Sequence, residues 1–135
     1  MNAMTLQRPQ VFWVLVFASL LIYTVVIPKP HYNIKEVSAI EARELMDAGA
    51  VVIDVRERPD LRLPGALLLP QAALEVGVAK LSLAKTAPIV VYCGDGSSVG
   101  PKATATLNRA GYTNAVNLRS GFKGWQAAGF PTVKR

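Results

Sequence analysis

The feature that most constrains the fold is a pair of short apolar segments rich in β-branched residues. They span residues 50–55 and 88–92, and Asp54 is the only charged residue in either. A strand with one face in water alternates apolar and polar residues, whereas a continuous apolar run indicates a strand that is buried on both faces. Such strands occur in parallel sheets that carry helices on both sides. The two segments therefore predict an α/β domain.

Helical segments alternate with strands along the same part of the chain. Ser38 followed by Glu41 predicts a capping box at the start of a helix that ends near residues 48–49. The remaining predicted elements are strands at 67–69 and 115–118, and helices at 72–83 (interrupted at Gly77), 101–110 and 121–128. This alternation predicts a three-layer, mostly parallel sheet with right-handed crossovers.

An uncharged apolar run precedes this domain. Residues 9–28 carry no charge, and only Ser19 and Thr24 are polar within 11–27. Seventeen helical residues reach about 26 Å, close to the thickness of a bilayer core. Because the run does not end in small residues, an uncleaved anchor is favoured over a cleaved signal peptide. We therefore predict a tail at 1–10, a transmembrane helix at 11–27, a linker at 28–35 and the domain at 36–135.

The basic residues on either side of the run predict its orientation. Arg8 lies on the N-terminal side, whereas Lys29, Lys35 and Arg43 follow the run. Since basic residues tend to stay in the cytoplasm, we expect a single-pass protein of the cell membrane with a cytoplasmic domain and lipid contacts at the helix.

Composition excludes several classes of function. One Cys and one His exclude a disulfide framework within the chain and a Cys/His zinc site, so we expect no metal and no organic cofactor. A dinucleotide site is disfavoured because no acidic residue follows Asp95. His31 lies in the linker and supplies no base for a hydrolase. No pattern typical of nucleic-acid binding is present.

Cys93 is the main candidate for chemistry. It ends the predicted strand at 88–92, and a glycine-containing loop leads from it to a helix. In parallel α/β sheets ligands bind at this edge, and a helix N-terminus with its loop amides favours a thiolate and binds anions. The alternative is that Cys93 is simply a small buried apolar residue.

Several motifs in order resemble a single rhodanese domain over about residues 36–133. They are Asp-Val-Arg-Glu at 54–57, Leu-Pro-Gly-Ala at 63–66 running into Leu-Pro at 69–70, Cys93-x-x-Gly96, and Gly121-x-x-x-Trp125-x-x-x-Gly129-x-Pro131. The resemblance implies a sulfurtransferase in which Cys93 takes sulfane sulfur from thiosulfate, another small sulfur-containing anion or a persulfide, and passes it to a thiol or protein acceptor. It also implies that a loop cradles the persulfide, formed by Gly94, Asp95, Gly96, Ser97, Ser98 and Val99.

The chain departs from the family pattern near Cys93. Ser98 stands where the family often has Arg, and Arg62 stands where His is usual. Asp95 places a carboxylate near the thiol, where it opposes a thiolate and an anionic donor. These departures favour a second hypothesis, a catalytically silent module that is tethered to the membrane and binds a partner protein. Phosphoryl chemistry is disfavoured because the loop lacks the Arg that would clamp the oxyanion.

Four further polar residues are candidates for shaping the cleft or steering an anion. Asp54 and Arg56 follow a predicted strand, and an ion pair that holds the loop is their favoured role. Arg62 and Lys102 are the others, and Lys102 lies where its charge can offset Asp95. Residues 76–135 contain eight basic residues and one acidic residue, which favours anionic partners, although a solvated face near lipid headgroups is equally compatible.

Overall fold

Five parallel strands form the central sheet in a computed structural model that describes residues 7–26 and 30–135. In sheet order they are β1 (Glu36–Val37), β6 (Ala115–Leu118), β5 (Ile89–Tyr92), β2 (Val51–Asp54) and β4 (Leu67–Leu68). Two further short strands, β3 (Leu61–Arg62) and β7 (Val133–Lys134), pair antiparallel in a separate ribbon. The predicted mostly parallel sheet is confirmed, and β5 lies at its centre.

The helices of the described chain follow the predicted order. They are α1 (Arg8–Val26), α2 (Ala39–Asp47), α3 (Leu74–Lys80, preceded by a 3-10 turn at Gln71–Ala73), α4 (Val99–Arg109) and α5 (Gly121–Ala127). The predicted capping box is present, since the Glu41 amide donates to Ser38 Oγ at 3.2 Å and the Ser38 amide donates to Glu41 Oε2 at 2.8 Å.

Two apolar clusters lie on opposite faces of the sheet. Val52 and Val90 belong to the cluster that contains α2 and α5 residues, whereas Ile53 and Val91 belong to the cluster that contains α3 and α4 residues. Successive residues of β2 and β5 therefore face different helical layers. This arrangement explains why the two segments are continuously apolar, and it confirms the three-layer α/β architecture.

Gly77 does not interrupt its helix, and that prediction is wrong. The residue lies within α3, which continues from Leu74 to Lys80. A Cβ at Gly77 would lie 2.5 Å from Leu69 Cδ2, so the glycine allows the side chain that follows β4 to pack closely against the helix. Tertiary packing explains this glycine better than helix breaking does.

The chain divides into two units, Met1–His31 and Tyr32–Arg135. In the first unit, the described side chains of α1, up to Tyr23, are exposed. No helix in residues 7–26 or 30–135 is long and apolar enough to cross a membrane. The predicted transmembrane segment at 11–27 is thus helical as far as Val26, but its membrane crossing is unsupported. Residues 27–29, which include the start of the predicted linker, lie outside the described residues.

Candidate active site

Cys93 lies directly after β5, at the carboxyl end of the central strand. Its side chain is 2% exposed, and Sγ accepts a hydrogen bond from the Gly96 amide at 3.2 Å. The thiol donates a hydrogen bond to Asp95 Oδ1, with Sγ 3.8 Å from that oxygen. Helix α4 begins at Val99, six residues after the cysteine. The structure therefore places the sulfur where the sequence predicts a ligand site in a parallel α/β sheet.

Residues distant in the sequence donate hydrogen bonds to the loop that follows Cys93. The Phe122 amide donates to the Cys93 carbonyl at 2.8 Å, and the Lys123 amide donates to the Gly94 carbonyl at 3.0 Å. Asn117 Nδ2 donates to the Gly96 carbonyl at 3.0 Å. Because these donors satisfy loop carbonyls, the loop keeps one shape, with its Gly96 amide directed at the sulfur.

Two glycines allow this close contact between segments. Gly96 has φ +81°, and a Cβ there would lie 2.0 Å from the Arg119 carbonyl oxygen. Gly121 has φ +61°, and a Cβ there would lie 2.6 Å from the Gly96 amide nitrogen. Both positions combine a left-handed backbone with a backbone neighbour that cannot move aside, so a side chain at either one would displace the loop.

We expect Gly96→Ala to lower the free energy of unfolding by about 2 kcal/mol or more, because the methyl group meets backbone and the φ angle is strained. It should also remove the Gly96 amide from Sγ. Gly94→Ala is the matched control, since a Cβ at Gly94 meets nothing within 4 Å. Denaturant unfolding of both variants measures the difference, and equal stabilities would contradict the assigned role of Gly96.

Asp95 is exposed and forms part of the loop's internal structure. Its Oδ1 accepts a hydrogen bond from the Ser97 amide at 3.0 Å. Hydrogen bonds from Ser97, with a contribution from the charge of Lys123, lower the pKa of Asp95 below its usual value. Asp95 is therefore an anion next to the sulfur at neutral pH. It accepts the hydrogen bond of the Ser97 amide, which the sequence analysis assigned to the cradle.

The other predicted loop residues are exposed at the surface. Ser97, Ser98 and Val99 are exposed, and the Ser98 side chain makes no capping hydrogen bond to α4. Among the described loop amides, that of Gly96 is the one bonded to Sγ. The structure therefore shows one loop amide on the sulfur, and the persulfide cradle stays a prediction.

Asp54 and Arg56 form the predicted ion pair. Arg56 Nε donates to Asp54 Oδ1 at 2.9 Å and Nη2 donates to Oδ2 at 2.7 Å, so the pair is bidentate. Arg56 Nη2 also donates to the Leu61 carbonyl at 2.8 Å, and the guanidinium carbon lies 4.4 Å from the centre of the Phe122 ring. Burial lowers the pKa of Arg56, but the hydrogen bond and charge of Asp54 outweigh it, so the pKa is raised overall. These contacts engage the guanidinium in holding the β2–β3 loop.

Tyr92 extends this network into the core, and sequence analysis did not assign it. Its hydroxyl donates to Asp54 Oδ2 at 2.8 Å and accepts from the Leu63 amide at 3.1 Å. Burial, the largest cause, raises the pKa of Tyr92 above its usual value. The residue next to Cys93 thus fixes the segment that carries the Leu-Pro-Gly-Ala motif.

Arg62 and Lys102 are not brought to the sulfur by any contact among the described residues. Arg62 is half-buried on β3, and its buried Nε has no partner among the described residues. Lys102 is exposed in the first turn of α4. The charge that acts on Asp95 comes instead from Lys123 of α5. That pairing depends on how α5 packs, which the sequence order does not reveal.

Asn117 is a site residue that the sequence analysis missed. It is fully buried in β6, where Nδ2 also donates to Glu36 Oε2 at 2.9 Å, while Oδ1 has no partner among the described residues. A Cβ at Gly100 would lie 2.5 Å from Asn117 Oδ1 and 3.1 Å from Cys93 Sγ. A polar residue inside an otherwise apolar strand, as at 115–118, is the sequence signal that could have identified it.

This chain is similar to several known proteins. Residues 38–128 match the family model of the Rhodanese-like domain. YibN, an uncharacterized protein of Escherichia coli K12, is 32% identical over 76% of this chain and 74% of its own length. Thiosulfate sulfurtransferase GlpE of Ectopseudomonas mendocina is 33% identical over 73% of this chain and 89% of its own length. The crystal structure of thiosulfate sulfurtransferase from Pseudomonas aeruginosa superposes with a TM-score of 0.67 at 27% identity, covering 87% of this chain and 22% of that chain.

Proposed function

Since this chain belongs to the rhodanese-like domain family, we propose that it is a sulfurtransferase or sulfur carrier that works through a persulfide on Cys93. The observation that carries the proposal is the hydrogen bond from the Gly96 amide to Cys93 Sγ at the carboxyl end of β5. Its similarity to thiosulfate sulfurtransferase GlpE supports the same chemistry. The partners are a sulfur donor and an acceptor.

The reaction has two transfers of one sulfur atom. The Cys93 thiolate attacks the outer sulfur of the donor, so that an Sγ–S bond forms while the donor's S–S bond breaks. With thiosulfate, sulfite leaves with the electron pair; with a persulfide, a thiolate leaves with it. An acceptor thiolate or cyanide then attacks the outer sulfur of the Cys93 persulfide, and the Cys93 thiolate leaves.

The loop geometry suits the persulfide as well as the thiolate. The Gly96 amide points at Sγ, and the exposed residues Ser97 and Ser98 follow it in the same loop. Amide and hydroxyl donors stabilise the negative charge of the thiolate before transfer and of the terminal sulfur after it. The chain's own residues therefore position and stabilise the sulfur, and the S–S chemistry needs no additional group.

The test is to incubate the full chain with thiosulfate and, separately, with a low-molecular-weight persulfide, and then to measure intact mass and thiocyanate release on adding cyanide. Because Cys93 is the chain's single cysteine, a gain of one sulfur atom that dithiothreitol reverses locates the persulfide. A gain with turnover supports a sulfurtransferase, and a gain without turnover supports a carrier that needs a specific acceptor. No gain with either donor would favour the silent binding module.

We also propose that residues 11–27 anchor the protein in the cell membrane, with the domain in the cytoplasm. The uncharged run at 9–28 carries the proposal, and it extends past the described residues, among which no helix is long and apolar enough to cross a membrane. Apolar side chains of α1 such as Phe12, Phe17 and Leu20 are exposed, as lipid contact requires.

Alkaline carbonate extraction of membranes from cells that express the full chain tests the anchor. We expect the protein to stay in the membrane pellet, because burying about 17 apolar residues holds it there, and a chain that lacks residues 1–29 to be released. Protease added outside intact cells should leave the domain uncut. Release of the full chain by carbonate would contradict the anchor, and cleavage of the domain in intact cells would contradict the orientation.

A further inference from the structure

The geometry points to Asp95 as a specificity-determining residue that selects donors by charge, favouring the persulfide of an uncharged or cationic thiol over thiosulfate and related anions. This inference rests on the proposed function. It names the class of donor rather than the reaction, and it assigns Asp95 an electrostatic role toward the donor.

The Asp95 carboxylate lies beside the sulfur. Asp95 Oδ1 lies 3.8 Å from Cys93 Sγ, so any donor whose outer sulfur touches Sγ also comes close to this oxygen. The same oxygen accepts the Ser97 amide, which keeps the carboxylate directed at the sulfur. A donor that reaches Sγ therefore comes within a short distance of the negative charge of Asp95.

The two classes of donor differ in charge. Thiosulfate carries two negative charges, and the departing sulfite carries both of them away past Asp95. A persulfide of an uncharged thiol brings no charge in its protonated form. When the Cys93 thiolate attacks its outer sulfur, the donor's S–S bond breaks and a thiolate leaves with one negative charge, against two for sulfite, and a cationic group on that thiol offsets the one charge. Because like charges at short distance repel even in a solvated site, Asp95 slows thiosulfate far more than a neutral donor.

The cations near the loop make no contact with the sulfur among the described residues. The Arg56 guanidinium is engaged by Asp54, by the Leu61 carbonyl and by the Phe122 ring. The hydrogen bonds from Ser97, and to a lesser extent the charge of Lys123, lower the pKa of Asp95. Lys102 is exposed, and no contact joins it to the sulfur among the described residues. The charge that touches the sulfur is thus the negative one, whereas the positive charges lie further out.

The experiment measures the rate of Cys93 persulfide formation in the full chain and in Asp95→Asn, with three donors of stepped charge. They are thiosulfate (two negative charges), methanethiosulfonate (one) and cysteamine persulfide, whose thiol is cationic. Asparagine keeps Oδ1 as the acceptor for the Ser97 amide, so loop geometry is retained. We expect Asp95→Asn to raise the rate about tenfold with thiosulfate and about threefold with methanethiosulfonate, and to leave cysteamine persulfide unchanged or slower.

Asp47→Asn is the matched control, because the charge change is the same. Asp47 ends α2 shortly before β2 begins, near the amino end of the strands, whereas Cys93 lies at their carboxyl end. It should leave all three rates unchanged. Lys123→Gln provides the opposite test, since removing the cation should lower the thiosulfate rate about twofold. If Asp95→Asn changes all three rates by the same factor, or changes none, the inference is overturned while the proposed function stands. If no donor yields a persulfide in any variant, the proposed function itself fails.

Discussion

Cys93→Ser is expected to abolish persulfide formation and to lower cyanide-dependent thiocyanate release by on the order of 10³-fold or more, to the uncatalysed background. An alcohol at this position is not ionised at neutral pH and cannot carry sulfane sulfur. Since the chain has no other cysteine, no second thiol can substitute. Intact mass after incubation with donor, and the thiocyanate rate, measure the loss.

The fold should survive this change. Serine is slightly smaller than cysteine, and its Oγ can accept the Gly96 amide in place of Sγ. Thermal unfolding and circular dichroism should therefore stay close to those of the wild type. Wild-type protein alkylated at Cys93 with iodoacetamide should be equally inactive. Residual turnover in either sample above the protein-free rate would show that the chemistry does not pass through this sulfur.

Asp54→Ala is expected to lower the free energy of unfolding by about 3 kcal/mol, the largest stability effect that we predict for a polar residue. Asp54 is 1% exposed and accepts two hydrogen bonds from the Arg56 side chain and one from the Tyr92 hydroxyl. Its removal leaves a partly buried guanidinium and a buried hydroxyl without their acceptor. Urea unfolding followed by tryptophan fluorescence measures the change.

Two further variants separate this network from a general effect of losing a carboxylate. Asp60→Ala removes an exposed aspartate and should change stability by less than about 0.5 kcal/mol. Tyr92→Phe keeps the ion pair but removes the hydroxyl from Asp54 and from the Leu63 amide, so we expect a loss of about 1–2 kcal/mol. If Asp54→Ala were as mild as Asp60→Ala, the network would not stabilise the fold.

Much of the architecture follows from local patterns. The continuous apolar runs predicted β2 and β5, and the Ser38–Glu41 spacing predicted the start of α2, because burial on both faces and capping each leave a signal within a few residues. The two-residue strands β1, β3 and β7 left no such signal. Strands this short are defined by the partner with which they pair, and that partner is distant in sequence.

Some residues of the candidate site can be identified from local sequence, and others cannot. Cys93 is identifiable because its strand, its glycine-containing loop and the following helix are contiguous. Tyr92 joins the network because β5 pairs with β2, which carries Asp54. Asn117 and Lys123 reach the loop only through packing of β6 and α5 against it. Lys102 is close to Cys93 in sequence, but it is Lys123, thirty residues after the cysteine, whose charge acts on Asp95.

The sequence by itself determined the α/β class, the order of most elements and the candidate nucleophile, because these depend on hydrophobic periodicity, turn residues and the identity of one side chain. Only the tertiary structure decided which groups surround the sulfur. The Gly96 amide is directed at Sγ because Arg119, Phe122 and Lys123 of a later segment pack against the loop. Contacts of that kind depend on distances between chain segments, and a linear sequence does not contain those distances.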